Sequence, residues 1–190
     1  MRLILKLKIM VFEIQIRANS TIIHNKINTR NPTMTDLTVW QNAPFDAIID
    51  HILPRYHETH RRQLDEILPL AEKVARVHAQ TFNPQILPLV QYIDSELRGH
   101  MMKEERMLFP MIKQGVGRGA AMPIKVMMHE HQDHEQAITQ LTELTDNFTP
   151  PAHACGSWQR LYANLRELTE DLRNHIELEN EILFARVMQL

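Results

Sequence analysis

One short pattern occurs twice in this 190-residue sequence, and its residue types could bind metal ions. The two copies run from His100 to Phe109 and from His175 to Phe184, and both read His-x3-Glu-x3-Leu-Phe. Residues four apart lie on the same face of a helix, so each copy presents an imidazole and a carboxylate together. Two such helices facing each other would supply the ligands of a pair of metal ions.

Both copies lie within longer helical patterns. Apolar residues recur at steps of three and four in four segments, which begin near Phe45, Val90, Ile124 and Leu161. Proline- and glycine-containing turns separate these segments, and the connections are short. The sequence therefore predicts an all-α protein, an antiparallel up-down four-helix bundle.

Each of the four predicted helices places at least one histidine on its inner face, where leucine would be expected. Ionisable side chains are almost never fully buried unless they are paired or bound to metal. Counted from the turns, these histidines fall near the same level of the bundle. We therefore predict six metal ligands: His57, His100, Glu104, His131, His175 and Glu179.

The predicted ligand set favours iron or manganese over zinc, because imidazoles are combined with carboxylates that can bridge two ions. We predict two non-haem iron ions in an oxo- and carboxylate-bridged di-iron centre. Glu104 and Glu179 would be the bridging carboxylates and the four histidines terminal ligands. Incomplete ligation by protein would leave coordination places open to a small molecule.

Other histidines leave alternatives open. His60 lies on the same face as His57, so either could be the ligand from the first helix, and we favour His57. His134 is either a fifth histidine ligand or a supporting or surface residue. His78 lies about 31 Å along a continuous helix from His57, which places it outside the predicted site. Arg61 and Lys103 are expected on solvated faces.

Composition excludes several classes of function. A net charge of −2 and a pI near 6.6 provide no attraction to nucleic acid or to acidic lipid. The single cysteine, Cys155, excludes an intramolecular disulfide and any zinc site built from several thiolates.

Residues 1–35 differ from the remainder of the chain. The apolar stretch from Leu3 to Ile16 is interrupted by Lys6, Lys8 and Glu13, so it is too short for a membrane span and too charged for a signal peptide. We interpret 1–35 as an atypical extension that is either disordered or an over-extended start. Residues 36–190 are predicted to form the di-iron bundle.

From about residue 40 to 190 the sequence resembles the Repair of Iron Centres family of hemerythrin-like di-iron proteins. Several stretches carry this resemblance: Ile49-Asp50-His51-Ile52, Arg55-Tyr56-His57, Arg76-Val77-His78-Ala79, His100 to Glu105, Phe109 to Gly115, Glu130-His131 and His175 to Asn180. The resemblance implies the same six ligands that the spacing predicts. It also implies a hemerythrin-like form of the four-helix bundle.

The resemblance implies a cytoplasmic protein that repairs iron-sulfur clusters damaged by nitric oxide or oxidative stress, by supplying iron. Its partners would be damaged iron-sulfur proteins and diatomic molecules, nitric oxide and oxygen, with no nucleic acid or membrane. The chain would be a monomer or a homodimer. Family members usually carry a cysteine-containing N-terminal domain, whereas residues 1–35 contain no cysteine.

Two further functions suit the same ligand set. A hemerythrin-like carrier or sensor would form a stable adduct with oxygen or nitric oxide and would not transfer iron. A di-iron nitric oxide reductase would turn over with an electron donor. Whether the protein is an enzyme is therefore left open by the sequence.

Overall fold

The computed structural model describes residues 37–190, so the extension predicted for 1–35 lies outside the described residues. Four long helices form the described part: α1 spans 45–77, α2 spans 86–113, α3 spans Ala121–Leu144 and α4 spans 156–187. Short 3₁₀ turns at Leu37–Trp40 and Gly117–Ala120 precede α1 and α3. No strand occurs between residues 37 and 190. The predicted all-α bundle is confirmed.

The four helices pack in a ring. Helix α1 contacts α2 and α4, and α3 contacts the same two neighbours from the opposite side. Connections of 8, 7 and 11 residues (78–85, 114–120 and 145–155) join consecutive helices, which therefore run antiparallel. This arrangement brings one face of every helix to a common interior.

Two of the helix ends are closed by left-handed residues. Gly115 has φ 71° after α2, and Asp146 has φ 49° after α3. In both turns the next residue donates its N–H to a carbonyl five positions back, Val116 to Met111 (3.2 Å) and Asn147 to Thr142 (2.8 Å). Such motifs satisfy terminal carbonyls and stop the helix where the chain must reverse.

Three helices change from α-helical to π-helical geometry over one short stretch each. These segments are Leu53–His57 in α1, Glu104–Leu108 in α2 and Leu178–Phe184 in α4. Around them the α-helical parts are Phe45–Ile52, Glu58–Val77, Ile86–Lys103, Phe109–Lys113, Gly156–Glu177 and Ala185–Val187. Pro54 lacks an N–H and so removes one α-helical hydrogen bond at the first of these segments. Pro69, in contrast, lies within uninterrupted α-helix.

Two apolar clusters fill the interior, one toward each end of the bundle. The first contains Leu64, Leu97 and Leu172 and extends to Trp158 near the last turn. The second contains Tyr56 and Phe184. Between them lies a layer of buried polar side chains, so both clusters isolate that layer from the ends of the bundle.

Among the described residues, no helix combines the length and the apolar character that crossing a membrane would require.

Candidate metal centre

All six predicted ligands are buried in the polar layer, with at most 2% of each residue exposed. They form two overlapping groups in which the potential ligand atoms all lie within 4.8 Å of one another. Group 1 consists of His57, Glu104, His175 and Glu179. Group 2 consists of His100, Glu104, His131 and Glu179. Each group therefore has two histidines of its own, and the two glutamates are common to both.

Each glutamate divides its two oxygens between the groups. Glu104 places Oε2 3.3 Å from His57 Nε2 and Oε1 3.4 Å from His100 Nε2. Glu179 places Oε1 3.2 Å from His175 Nε2 and Oε2 3.2 Å from His131 Nε2. A carboxylate shared in this way can bridge two cations, one in each group.

The π-helical segments help to position this layer. Three of the six side chains, those of His57, Glu104 and Glu179, lie within them. A π-helical turn changes the angular phase of a helix by about one residue, so a polar side chain can face inward without displacing the apolar residues before and after it. His131 instead lies on the uninterrupted helix α3.

One histidine of each group donates a hydrogen bond to an outer carboxylate. His57 Nδ1 donates to Glu105 Oε1 at 2.7 Å, and Arg61 also donates to that oxygen at 2.6 Å. His100 Nδ1 donates to Glu130 Oε2 at 2.9 Å, and Lys103 pairs with the same carboxylate. The proton on Nδ1 fixes the tautomer and leaves the Nε2 lone pair for a metal ion.

The remaining two histidines are supported differently. His131 Nδ1 donates to Asn180 Oδ1 at 2.9 Å. His175 Nδ1 is buried and has no hydrogen-bond partner among residues 37–190. The ring of His175 is instead stacked on Tyr56, with centroids 5.0 Å apart and planes 7° apart. Within the described part of the chain, His175 is thus the one histidine of the two groups whose Nδ1 has no hydrogen bond to an outer residue.

Without bound metal, protons on neighbouring histidines balance the negative charge of the buried carboxylates. Burial alone would lower the pKa of His57, but the neighbouring carboxylates of Glu104 and Glu105 raise it to about 9. Burial likewise opposes protonation of His100, yet Glu104 and Glu130 raise its pKa to about 10. Cations entering the site would therefore replace protons on these two imidazoles.

The polar atoms of the layer are suited to cations. Both oxygens of Glu104 and of Glu179, together with Nε2 of His57 and of His175, are buried without a hydrogen-bond partner among the described residues. Leaving buried acceptors unpaired costs free energy, several kcal/mol for a charged group. Cations held by these atoms remove that cost, so the layer has the composition and geometry of a metal-binding site.

Two more buried histidines lie beside the groups. The His60 ring is 5.3 Å from that of His175, and the His134 ring is 5.1 Å from that of His100, centroid to centroid. Burial lowers the pKa of each to about 3, so both are neutral at physiological pH. Neither belongs to the two groups of mutually close atoms, although His60 is as deeply buried as His57.

The other sequence-based expectations are only partly met. His78 ends α1 far from the site, with Nε2 3.1 Å from Cys155 Sγ. Arg61 and Lys103, which we expected on solvated faces, bind the outer carboxylates of the site. The two outer glutamates could have been found from the sequence, because each is adjacent to a predicted ligand. Glu105 directly follows one predicted ligand, and Glu130 directly precedes another.

Comparison with known proteins identifies the fold and the group of relatives. Residues 48–187 match the family described as the hemerythrin HHE cation binding domain. The iron-sulfur cluster repair protein DnrN of Neisseria gonorrhoeae is 63% identical over 155 residues, which cover 82% of this chain and 99% of that protein.

Two longer relatives match over a similar region. The iron-sulfur cluster repair protein YtfE of Cronobacter sakazakii is 48% identical over 151 residues, 78% of this chain and 68% of that protein. YtfE of Escherichia coli O139:H28 is 45% identical over 151 residues, 78% of this chain and 69% of that protein. The chain therefore belongs to the hemerythrin HHE family and, within it, to the Repair of Iron Centres family.

Proposed function

We propose that this protein repairs iron-sulfur clusters damaged by nitric oxide or oxidative stress, and that it does so by supplying iron from a di-iron centre. The observation that carries this proposal is the pair of buried carboxylates, Glu104 and Glu179, each shared between two groups of histidines. The relatives named as cluster repair proteins favour repair over an oxygen carrier, a sensor or a nitric oxide reductase.

The donor set favours iron as the bound metal. Each group offers two imidazole nitrogens and two carboxylate oxygens, and no cysteine lies in either group. Imidazole and carboxylate donors suit non-haem iron, whereas structural zinc sites usually contain thiolates. We assign His57, His100, His131 and His175 as terminal ligands, and the two shared glutamates as bridging ligands.

The protein residues perform two tasks in this proposal. The hydrogen bonds to Glu105 and Glu130 hold two imidazoles with Nε2 free to bind. The aromatic rings of Phe109 and Phe184, stacked on His57 and His131, keep water from the layer. When bound, the iron pair would be the source of the iron that a damaged cluster has lost.

We propose damaged iron-sulfur proteins as the partners, with nitric oxide and oxygen as the small molecules that reach the site. The expected location is the cytoplasm, and the expected assembly is a monomer or a homodimer. No nucleic acid or membrane is required by the chemistry of the site.

The test is metal content and iron transfer in wild-type protein and in Glu104→Ala and Glu179→Ala. We expect two irons per wild-type chain, with near-ultraviolet absorption typical of a coupled iron pair, and loss of both in each variant. The loaded wild-type protein should restore the cluster of an iron-depleted iron-sulfur protein. Glu181→Ala is the matched control, because Glu181 is exposed on the same helix as Glu179.

Circular dichroism separates loss of metal from loss of fold. Variants that remain helical and contain no iron support the proposal. Variants that retain both irons would overturn the ligand assignment. A loaded wild-type protein that restores no cluster would overturn the repair function.

A further inference from the structure

His60 is buried beside group 1 but belongs to neither group. It lies one helical turn after His57, it has no exposed surface, and its ring contacts that of His175. Its Nε2 is buried with no hydrogen-bond partner among the described residues. Burying an acceptor without a partner costs free energy, so this nitrogen is a candidate ligand atom beside the site.

The tautomer of His60 is fixed by hydrogen bonds with neighbouring residues. Gln63 Nε2 donates to Asp171 Oδ2 at 2.9 Å, so the oxygen of the Gln63 amide faces His60 and accepts a hydrogen bond from its Nδ1 at 3.1 Å. Asp171 is itself held by Arg55 at 2.6 Å. With the proton on Nδ1, the Nε2 of His60 presents a lone pair, as metal-binding histidines do.

Group 1 is also the less firmly anchored of the two. Both histidines of group 2, His100 and His131, donate from Nδ1 to an outer acceptor. In group 1 only His57 does so, while His175 Nδ1 has no partner among residues 37–190. Outer hydrogen bonds typically change metal affinity by 10–100-fold, so group 1 is expected to hold its ion less tightly.

A polar network connects the Nδ1 edge of His60 to the surface, through Gln63. Gln63 lines a surface cavity of about 200 Å³ between α1 and α4. Carboxylates and an amide accompany it there, and the complete lining is Thr59, Arg62, Gln63, Glu66, Asn164 and Glu167.

We propose that His60 is a transfer ligand, which receives iron from group 1 as the ion leaves the site. His175 contacts both His57 and His60, with ring centroids 5.0 and 5.3 Å away, so it can remain a ligand while the other two exchange. The step is a ligand exchange: the bond to His57 Nε2 breaks and one to His60 Nε2 forms. The iron stays ferrous, and no proton must leave His60 because its Nε2 carries none.

This inference rests on the proposed function, and release to a small chelator tests it separately. Protein loaded anaerobically with ferrous iron is mixed with an excess of a colorimetric ferrous chelator, and release is followed in time. We expect one iron to leave faster than the other in the wild type. His60→Leu should retain two irons and the wild-type spectrum at rest, while its faster phase slows about tenfold or more because a stabilising bond is lost along the path.

His134→Leu is the matched control. His134 is also a buried histidine with an unpaired Nε2, but the described residues provide it with no counterpart of the Gln63–Asp171 pair. We expect the faster phase of His134→Leu to equal that of the wild type. Gln63→Leu leaves His60 in place without the acceptor of its Nδ1 proton, and should slow the same phase to a smaller extent.

Three outcomes would overturn the transfer role. They are release from His60→Leu at the wild-type rate, one iron instead of two in that variant at rest, and equal slowing in His134→Leu. Release to the chelator that depends on His60, combined with failure to restore a cluster, would overturn the proposed function and leave the transfer role intact.

Discussion

The two histidine groups share their carboxylates but differ in the hydrogen bonds that hold their histidines from outside. They share both glutamates, and in each group one histidine donates a hydrogen bond to an outer carboxylate, Glu105 or Glu130. That carboxylate also pairs with a basic side chain, Arg61 or Lys103. The difference lies in the second histidine, since His131 is bound to Asn180 and His175 has no Nδ1 partner in the described part of the chain. In the proposed function, this difference lets group 2 keep its ion while group 1 supplies one.

The largest expected effect comes from removing one terminal histidine from each group. His57→Ala and His131→Ala should each retain about one iron per chain instead of two. The iron left in His57→Ala is held by group 2 and should leave slowly, whereas the iron left in His131→Ala is held by group 1 and should leave fast. Metal analysis followed by chelator release measures both quantities. The reverse order of rates would contradict the comparison.

A smaller effect is expected from Asn180→Ala, which removes the acceptor of the His131 Nδ1 proton. Group 2 then resembles group 1 in having one histidine without an outer hydrogen bond. Release of iron from group 2, the slow phase, should become about 10–100-fold faster, while the fast phase from group 1 is unchanged. The neighbouring exposed residue supplies the control, Glu181→Ala, which should alter neither phase. A change confined to the fast phase would show that the two groups have been assigned the wrong way round.

The smallest effect concerns pH, where the two groups are expected to behave alike. In metal-free protein the pKa is raised from 6.5 to about 9 for His57 and to about 10 for His100, so the folded chain binds more protons than the unfolded chain above pH 6.5. Stability should therefore fall as pH rises toward 9. Below pH 6.5 the unfolded chain also protonates His60, His134 and His175, whose folded pKa values are lowered, so stability falls again.

The measurement is the melting temperature of metal-free and iron-loaded protein between pH 5 and pH 10. We expect a maximum near pH 6.5 for the metal-free protein. The decline above that value should be absent from the loaded protein, in which iron occupies the imidazoles in place of protons. A melting temperature of the metal-free protein that increases from pH 6.5 to 9 would contradict the assignment of these protons.

Much of the fold and the clustering of the six side chains could be predicted from sequence, because both depend on periodicity. The repeated pattern at His100 and His175 fixes the spacing of histidine and glutamate on one helical face. Steps of three and four residues then indicate four amphipathic helices and the level at which polar residues meet. These signals are local in sequence and need no knowledge of neighbouring helices.

The choice between His57 and His60 could not be made in this way. Both fit the stepping of an α-helix, and the π-helical segment Leu53–His57, which changes the phase, is not visible in a 3.6-residue pattern. The roles of Arg61 and Lys103 were missed for a different reason. Each binds a carboxylate on another helix, and such contacts depend on how the helices are rotated against each other.

The π-helical segments also affect how the bundle moves. Wide turns of this kind interrupt the regular hydrogen-bond ladder in α1, α2 and α4 at the same level, so the middle of the bundle depends on the polar layer for cohesion. Iron bound there would tie three interrupted helices together, and each ion that leaves would allow backbone amides of these turns to exchange with solvent more often. A client protein could then distinguish iron-loaded from iron-depleted molecules by how often these turns open, without direct contact with the metal.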